Sequence, residues 1–243
     1  MKAERGLRRR SEKPELMDDF ATGGEPLQEA LRHLRRLNRL FGAGNPIIYG
    51  VNQLWERSGR PASLSVLDVG SGAGDLNRPL LKWADRRGVR MTVKLTDVTE
   101  EAEREAARLF RDERRVTFAR RDLFELEDGL ADIVTASQVA HHFTPDRLPA
   151  VVERMRAASR IGVVISDIHR HWLAWAAVWA AARLLSRNAY IRHDGPLSVA
   201  KGFRRDDFRT LAEQLGDSDV TYRWRPLFRY AVIVPMREGD RSV

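Results

Sequence analysis

The chain has 243 residues, of which 42 are Lys or Arg, 34 are Asp or Glu, and none is Cys. This length fits one α/β domain with additions, and an apolar share of 43% is too high for a disordered protein. The lack of cysteine excludes disulfides, thiolate zinc sites, iron–sulfur clusters and cysteine nucleophiles. The formal net charge of +8 leaves a nucleic-acid or membrane partner open, because basic surfaces attract phosphates.

The positive charge lies mainly near the two ends of the sequence. Residues 61–168 carry 17 basic and 18 acidic residues, so the centre is close to neutral. Residues 1–24 form a polar arm that we expect to be partly ordered, and its dense basic run, Arg8-Arg9-Arg10, is expected to fray. No signal peptide or membrane-spanning stretch is evident. We therefore expect a cytoplasmic protein without a nucleic-acid partner and without integral membrane association.

The N-terminal part predicts two helices. From Pro26 to Phe41, apolar residues recur at spacings of three and four, and arginines occupy the opposite face. Pro46 opens a second helix with an apolar stripe. We expect residues 1–60 to form an arm and a helical cap, and residues 61–243 to form the main domain.

Strands and helices alternate in the main domain. Strands are predicted over Leu64–Val69, Met91–Thr96, Val116–Ala119, Ile133–Ser137 and Ile161–Asp167. Helices are predicted over residues 75–87, 99–111, 145–158 and 206–215, and a hairpin over 220–224 and 228–234. The alternation predicts an α/β fold with a doubly wound, mostly parallel seven-stranded sheet, Rossmann-like in its connections.

An insert over residues 168–203 follows the fifth predicted strand. Trp172, Trp175 and Trp179 lie on one helical stripe within it. We expect an inserted helix that packs on the sheet, closes over a pocket as a lid, or does both. The segment 193–203 reads as an ordered loop.

A glycine-rich turn follows the first predicted strand. Glycines at Gly70, Gly72 and Gly74 allow a sharp turn that brings the backbone close to a ligand. The spacing differs from the dinucleotide motif, and Asp68 and Asp75 would repel a pyrophosphate and attract a cation. A P-loop lysine is missing, which disfavours phosphoryl transfer.

These residues resemble the class I S-adenosylmethionine-dependent methyltransferases. Residues 66–75 are similar to the family's first motif, and the resemblance covers roughly residues 62–236. It implies that Asp97 binds the ribose hydroxyls of the cofactor and that Asp122 lies near the adenine amino group. The implied cofactor is S-adenosyl-L-methionine, and the residues expected to bind it are Asp68, Gly70, Gly72, Gly74, Asp75, Asp97, Val98, Asp122, Leu123 and Ser137.

The absence of several motifs restricts the classes of methyl acceptor that the sequence allows. The run Ser137-Gln138-Val139-Ala140 stands where methyltransferases of DNA amines or glutamine carry an Asn/Asp-Pro-Pro-aromatic run. The lack of cysteine excludes pyrimidine methylation through a cysteine nucleophile. No RNA-binding module is evident. A hydrophobic small molecule is therefore favoured.

Histidines supply candidates for a general base. Five of the six follow the fourth or fifth predicted strand or lie in the insert, where parallel sheets bind ligands. An imidazole can take the proton of a phenol, whose pKa is ~10. We predict His142 and His193 as candidates, with Asp194 orienting a histidine or acting itself. No metal site is predicted, because no carboxylate-rich second set accompanies the histidines.

A narrower resemblance concerns the acceptor. His193–Phe203, with Met17-Asp-Asp and Leu37-Asn-Arg, is similar to bacterial methyltransferases associated with type III polyketide synthases, as in secondary metabolism. It implies a polyketide or phenolic-lipid acceptor. We predict that this acceptor contacts His141, Trp172, Trp175 and Phe203, whose aromatic rings would suit such a molecule. O-methylation of a phenolic or enolic oxygen is the leading prediction, followed by C-methylation of a quinol or polyketide ring. An RNA methyltransferase and a non-catalytic partner protein that binds S-adenosylmethionine are the alternatives from other classes. The oligomeric state stays open.

Overall fold

Seven strands form one sheet in the computed structural model, which describes residues 7–19 and 23–237. The strands are β1 (Ser63–Val69), β2 (Arg90–Asp97), β3 (Val116–Arg120), β4 (Ala131–Ser137), β5 (Ser159–Ile168), β6 (Thr221–Arg225) and β7 (Arg229–Pro235). Their order is β3-β2-β1-β4-β5-β7-β6, parallel except for β7, which pairs antiparallel with both of its neighbours. The predicted α/β fold with a doubly wound, mostly parallel sheet is confirmed.

Helices cover both faces of this sheet. They are α1 (Glu25–Leu40), α2 (Gly44–Arg57), α3 (Asn77–Arg87), α4 (Glu100–Leu109), α5 (Leu148–Ala157), α6 (Trp172–Leu185), α7 (Ala189–Lys201) and α8 (Arg205–Leu215). One buried cluster joins α2, α3 and α4 to the sheet, and a second joins α5 and α8 to it. None of the described helices is both long and apolar enough to cross a membrane.

Helix α2 lies directly on the sheet. A Cβ atom at Gly50 would come within 2.3 Å of the Val164 side chain, so glycine permits this close approach. Residues 44–57 therefore cover the sheet together with α3, while α1 lies further out against α4 and α7. The division of the chain at residue 60 stays a prediction.

The insert contains two helices. Residues 193–203 were predicted as a loop because His-Asp-Gly-Pro is typical of a turn, but α7 continues through Pro196 to Lys201. Ile191 and Val199 are almost fully buried on this helix. Their packing outweighs the hydrogen bond that a proline inside a helix removes.

The described part of the N-terminal arm is anchored. The Arg10 guanidinium donates to the carbonyl oxygens of Lys201, His141 and Phe143 at 2.9–3.2 Å, and it lies 4.3 Å from the Phe203 ring centroid. The expectation that the basic run frays is therefore wrong at Arg10. Residues 1–6 and 20–22 of the predicted arm lie outside the described residues.

Candidate active site

A cavity of about 460 Å³ lies at the carboxyl ends of β1, β2 and β4. The glycine-rich turn and acidic side chains form one end, which we call the cofactor end. The arm and α7 form the other, which we call the acceptor end, and α1 borders both. A larger depression of about 700 Å³ lies at the amino ends of β1 and β2, around Ser63 and Arg90. Ligands bind at the carboxyl ends of open parallel sheets, and all ten residues predicted to bind the cofactor line the smaller cavity except Gly74. The smaller cavity is therefore the candidate site.

The glycine-rich turn forms the floor of the cofactor end. Gly70, Gly72 and Gly74 have φ angles of 58°, 53° and 71°, a region that side chains disfavour. A Cβ at Gly70 would meet Val139 at 2.6 Å, and one at Gly74 would meet Leu95 at 2.4 Å. The chain therefore turns sharply from β1 toward α3 and presents its backbone to the cavity.

Asp97 is fixed at the end of β2. Its Oδ2 accepts a hydrogen bond from the Gly72 amide at 2.9 Å. Its Oδ1 accepts from the Thr99 amide at 3.1 Å and from the Thr99 hydroxyl at 2.9 Å. These three donors orient the carboxylate at the cavity, where it can accept hydroxyl hydrogen bonds from a ligand.

Two further carboxylates make this end acidic. Burial raises the pKa of Asp68 to about 6. Hydrogen bonds that Asn77 donates at 2.6 Å and Thr135 at 2.8 Å act to lower this pKa but do not outweigh burial. The nearby charges of Asp75 and Asp97 raise it further, and burial also raises the pKa of Asp75. Clustered carboxylates that resist ionisation favour a cationic ligand, which would restore the charged forms.

The remaining predicted residues complete the cofactor end. Asp122 accepts the Phe124 amide at 2.8 Å and caps the short helix that contains Leu123. Val98 is exposed and Leu123 buried, and both line the cavity. The buried hydroxyl of Ser137 has no hydrogen-bond partner among the described residues, which leaves it able to bind a ligand. These residues fit S-adenosylmethionine, a cation that carries polar groups.

His141 is a buried cation at the acceptor end. Its Nδ1 lies 2.8 Å from Asp167 Oδ1, and its Nε2 lies 3.4 Å from Glu15 Oε1. Burial alone would lower the pKa of His141, but the two carboxylates raise it to about 9. His141 is therefore protonated at neutral pH and is not a candidate for the base.

His142 is paired with a carboxylate from the arm. Its Nδ1 lies 2.6 Å from Asp18 Oδ1, and its ring stacks on His141 at a centroid distance of 4.4 Å. Burial opposes ionisation of Asp18, but His142 and Lys201 hold the pKa of Asp18 well below its usual range. A histidine oriented by a carboxylate through Nδ1 is an arrangement suited to proton transfer at Nε2.

Glu15 and Asp18 are site residues that no sequence pattern predicted. Both lie on the arm that was expected to be partly ordered, and Met17-Asp18-Asp19 contributed only to a family resemblance. Lys201 also joins them, with its Nζ 3.3 Å from Asp18 and 3.7 Å from Glu15. The cluster could be found only from the structure, since its members are far apart in the chain.

A metal ion does not suit this cluster. Ligand atoms of Glu15, His141 and His142 lie within 4.8 Å of one another. The protonated His141 and Lys201 already neutralise the carboxylates, so a divalent ion would have to displace two cations. We therefore assign no metal to the site.

Asp194 holds the arm. Its carboxylate is buried and accepts the backbone amides of Leu16 at 2.9 Å and Met17 at 3.0 Å. It also lies 2.7 Å from Nδ1 of His193, whose side chain is 51% exposed and does not line the cavity. Between the two predicted bases, the geometry favours His142 over His193.

The aromatic residues predicted to contact the acceptor do not line the cavity. Phe203 is fully buried and stacks on Phe208 at 4.7 Å. Trp175 packs against Ile168 and Val199, while Trp172 is exposed. Their positions contradict the predicted contacts, because Trp172 faces outward, Trp175 packs on the inner side of α6, and Phe203 belongs to the core. The apolar residues that line the cavity instead include Met17, Leu27, Leu31, Leu34, Tyr190 and Ile191.

Comparisons with known proteins agree with this geometry. Residues 66–162 match a family model described as a methyltransferase domain. No curated protein matches the sequence. Among solved structures, an S-adenosylmethionine-dependent methyltransferase from Aquifex aeolicus is similar, with a TM-score of 0.57, 16% identity and coverage of 88% of this chain and 100% of that chain.

Two further methyltransferase structures are also similar in fold. An O-methyltransferase family protein from Burkholderia thailandensis has a TM-score of 0.60 at 18% identity, over 98% of this chain and 68% of that chain. Human N-acetylserotonin methyltransferase, solved with S-adenosylmethionine, has a TM-score of 0.61 at 13% identity, over 96% of this chain and 65% of that chain. At these identities the structures show the fold alone.

Proposed function

We propose that this protein is an S-adenosylmethionine-dependent methyltransferase of class I and that it methylates a phenolic or enolic oxygen of a hydrophobic aromatic small molecule. The observation that carries the proposal is a single cavity with two chemically different ends. Its acidic, glycine-lined end fits a cationic cofactor, and its apolar end carries His142 paired with Asp18.

The cofactor end is built to hold and orient a cation. When bound, S-adenosylmethionine supplies an electrophilic methyl group. Three hydrogen bonds orient the Asp97 carboxylate so that it can accept hydrogen bonds from the ribose hydroxyls. Asp122 and Leu123 line the same cavity. The buried carboxylates of Asp68 and Asp75 add negative charge that complements a sulfonium and an ammonium group.

The acceptor end is built to bind an apolar ring and remove a proton. Leu34 of α1 packs with Tyr190 and Ile191 of α7, and the three residues provide an apolar wall. His142 takes the acceptor proton, and Asp18 orients its ring and stabilises the imidazolium that results.

C-methylation is the alternative that the same site allows. A quinol or polyketide ring needs the same deprotonated acceptor before its carbon attacks the methyl group. The position of the new methyl group distinguishes the two reactions. Mass spectrometry and NMR of the product therefore decide between O- and C-methylation.

Release of S-adenosylhomocysteine with a panel of phenols and alkylated quinols tests the activity directly. We expect turnover with hydrophobic phenols. Cofactor binding without turnover on any acceptor would instead support a non-catalytic partner protein. Tight RNA binding that weakens steeply between low and high salt would support an RNA methyltransferase, and no RNA binding at ~50 mM salt would exclude one.

Asp97→Ala tests the cofactor end. We expect calorimetry to show loss of S-adenosylhomocysteine binding, because the substitution removes the carboxylate that accepts hydrogen bonds from the ribose hydroxyls. The same carboxylate also accepts the hydrogen bond that fixes the Gly72 amide. Asp112→Ala, at an exposed acidic residue on another surface, is the matched control and should bind normally. Undiminished affinity in Asp97→Ala would contradict the assignment of this end.

A further inference from the structure

Helix α6 presents an apolar face outward. Helical spacing places Trp172, Leu173, Ala176, Ala177, Trp179 and Leu184 on the side that the fold leaves uncovered. Leu184 is 83% exposed, and Trp172 and Trp179 are 47% and 41% exposed. Contiguous exposed apolar patches of this kind mark interaction surfaces. We call this set of residues the α6 face.

The charges around the α6 face are basic. Residues 168–193 contain no Asp or Glu, and Arg183, Arg187 and Arg192 are all exposed. The Arg183 guanidinium lies 4.1 Å from the Trp179 ring centroid, and Arg192 donates to the Arg183 carbonyl at 3.4 Å. These cations therefore lie beside the apolar residues at the C-terminal end of the helix.

Helix α1 extends this basic border. His33 Nδ1 lies 2.6 Å from the Ser186 hydroxyl, so α1 meets the connection between α6 and α7. One turn further along α1, Arg36 is exposed. Glu29 is the acidic residue at this junction, and it accepts a hydrogen bond from Asn188. Cations thus outnumber acids at the edge of the α6 face.

We propose that the α6 face docks the protein on an anionic lipid surface. Exposed Trp and Leu side chains enter the boundary between headgroups and acyl chains, and tryptophan prefers that depth. Arginines at the edge bind lipid phosphates while their stems remain on apolar surface. A helix of 14 residues is ~21 Å long, which suits lying in the interface rather than spanning the bilayer.

The α6 face is one helix away from the cavity. Ala182 on the inner side of α6 packs in the same cluster as Tyr190 and Ile191 of α7, and those two residues line the acceptor end. Docking there would place the acceptor end near the membrane in which an apolar acceptor dissolves. This link to the acceptor rests on the proposed function, whereas docking itself does not.

The test is sedimentation of the full chain with vesicles of phosphatidylcholine, with and without phosphatidylglycerol. We expect binding to the anionic vesicles only, without added cofactor or acceptor. Trp179→Gln should weaken binding by about tenfold, because it removes an inserted ring. Trp224→Gln is the matched control, since Trp224 is 52% exposed on β6, and it should bind like the unaltered protein.

The basic border is tested separately. Arg183→Gln combined with Arg187→Gln should weaken binding to anionic vesicles by about fivefold for each charge removed. Arg86→Gln combined with Arg90→Gln removes two exposed charges elsewhere and should have little effect. Thermal unfolding of all variants shows whether each remains folded.

Three outcomes would overturn docking. They are no binding to anionic vesicles, binding that Trp179→Gln leaves unchanged, and a solution dimer in light scattering that Trp179→Gln dissociates. The last outcome would assign the α6 face to a second copy of the chain. Each leaves cofactor binding and turnover on a water-soluble phenol unaffected, so failure of docking is distinct from failure of the proposed methyl transfer.

Discussion

Two carboxylates from the arm each face one of two adjacent histidines. Glu15 lies beside His141 and Asp18 beside His142, yet the two histidines are suited to different tasks. His141 lies between Glu15 and the buried Asp167, which favours its charged form. His142 has one carboxylate partner and a more exposed ring, so it is the residue that can exchange a proton with an acceptor.

His142→Ala tests this assignment. We expect kcat to fall by about 10²- to 10⁴-fold, because a general base contributes about that factor. The affinity for S-adenosylhomocysteine, measured by calorimetry, should stay within about twofold, since His142 lies at the acceptor end. Asp18→Asn should lower kcat by a smaller factor through loss of the orienting carboxylate.

His193→Ala is the comparison for this experiment. His193 is half exposed and does not line the cavity, so we expect nearly full turnover. Full turnover in His142→Ala with a large loss in His193→Ala would reverse the assignment. Full turnover in both variants would remove histidine from the mechanism.

At the scale of elements, α7 determines where the arm lies. Asp194 on α7 accepts two consecutive amides of the arm, and Lys201 at its end contacts both Asp18 and Glu15. The arm in turn supplies the carboxylates that face the histidines. The acceptor end is therefore assembled from two segments that share no local sequence signal.

Asp194→Asn should loosen the arm. An amide side chain retains one acceptor oxygen and presents an NH₂ group to the second backbone amide, so one hydrogen bond is lost, at a cost of about 1–3 kcal/mol. We expect faster hydrogen exchange at Leu16 and Met17 and a higher KM for the acceptor, with unchanged cofactor affinity. Asp219→Asn, at an exposed site, is the control.

Equal exchange rates at Leu16 and Met17 in both variants would show that Asp194 does not position the arm. A loss of kcat without faster exchange would instead support the catalytic role that the sequence predicted for Asp194.

At the scale of the whole molecule, His141 links stability to pH. Its pKa is about 9 in the folded state against 6.5 for the ordinary group, so the folded protein binds this proton more tightly. The resulting stabilisation is fully present below pH 6.5 and is lost as the pH rises through about 9. Asp68 titrates at about 6, below this window.

We expect the free energy of unfolding to fall by on the order of 2 kcal/mol between pH 6.5 and 9 because of His141. Urea denaturation at several pH values measures this fall. His141→Gln should lose most of the pH dependence in that window, whereas His193→Gln should keep it. The same slope in His141→Gln and in the unaltered protein would show that other groups cause the dependence.

The fold and the cofactor end were predictable because their determinants are local. Apolar runs and turn residues define β1 to β5 and the helices between them, and the glycine-rich turn must follow a strand and precede a helix. Residues at the ends of parallel strands meet at one edge, which brings Asp97 and Ser137 into the same cavity. The sequence alone thus determines the class of fold and brings most of the residues predicted to bind the cofactor to one cavity.

The acceptor end was decided only by tertiary structure. Whether a polar arm packs depends on distant partners such as Asp194 for the arm amides and Lys201 for Asp18. Helical periodicity places Trp172 and Trp175 on one stripe, but it does not state whether that stripe faces a pocket or solvent. Periodicity and turn chemistry act between neighbours in the chain, whereas the pairing of His142 with Asp18 arises from packing between segments that only the folded chain brings together.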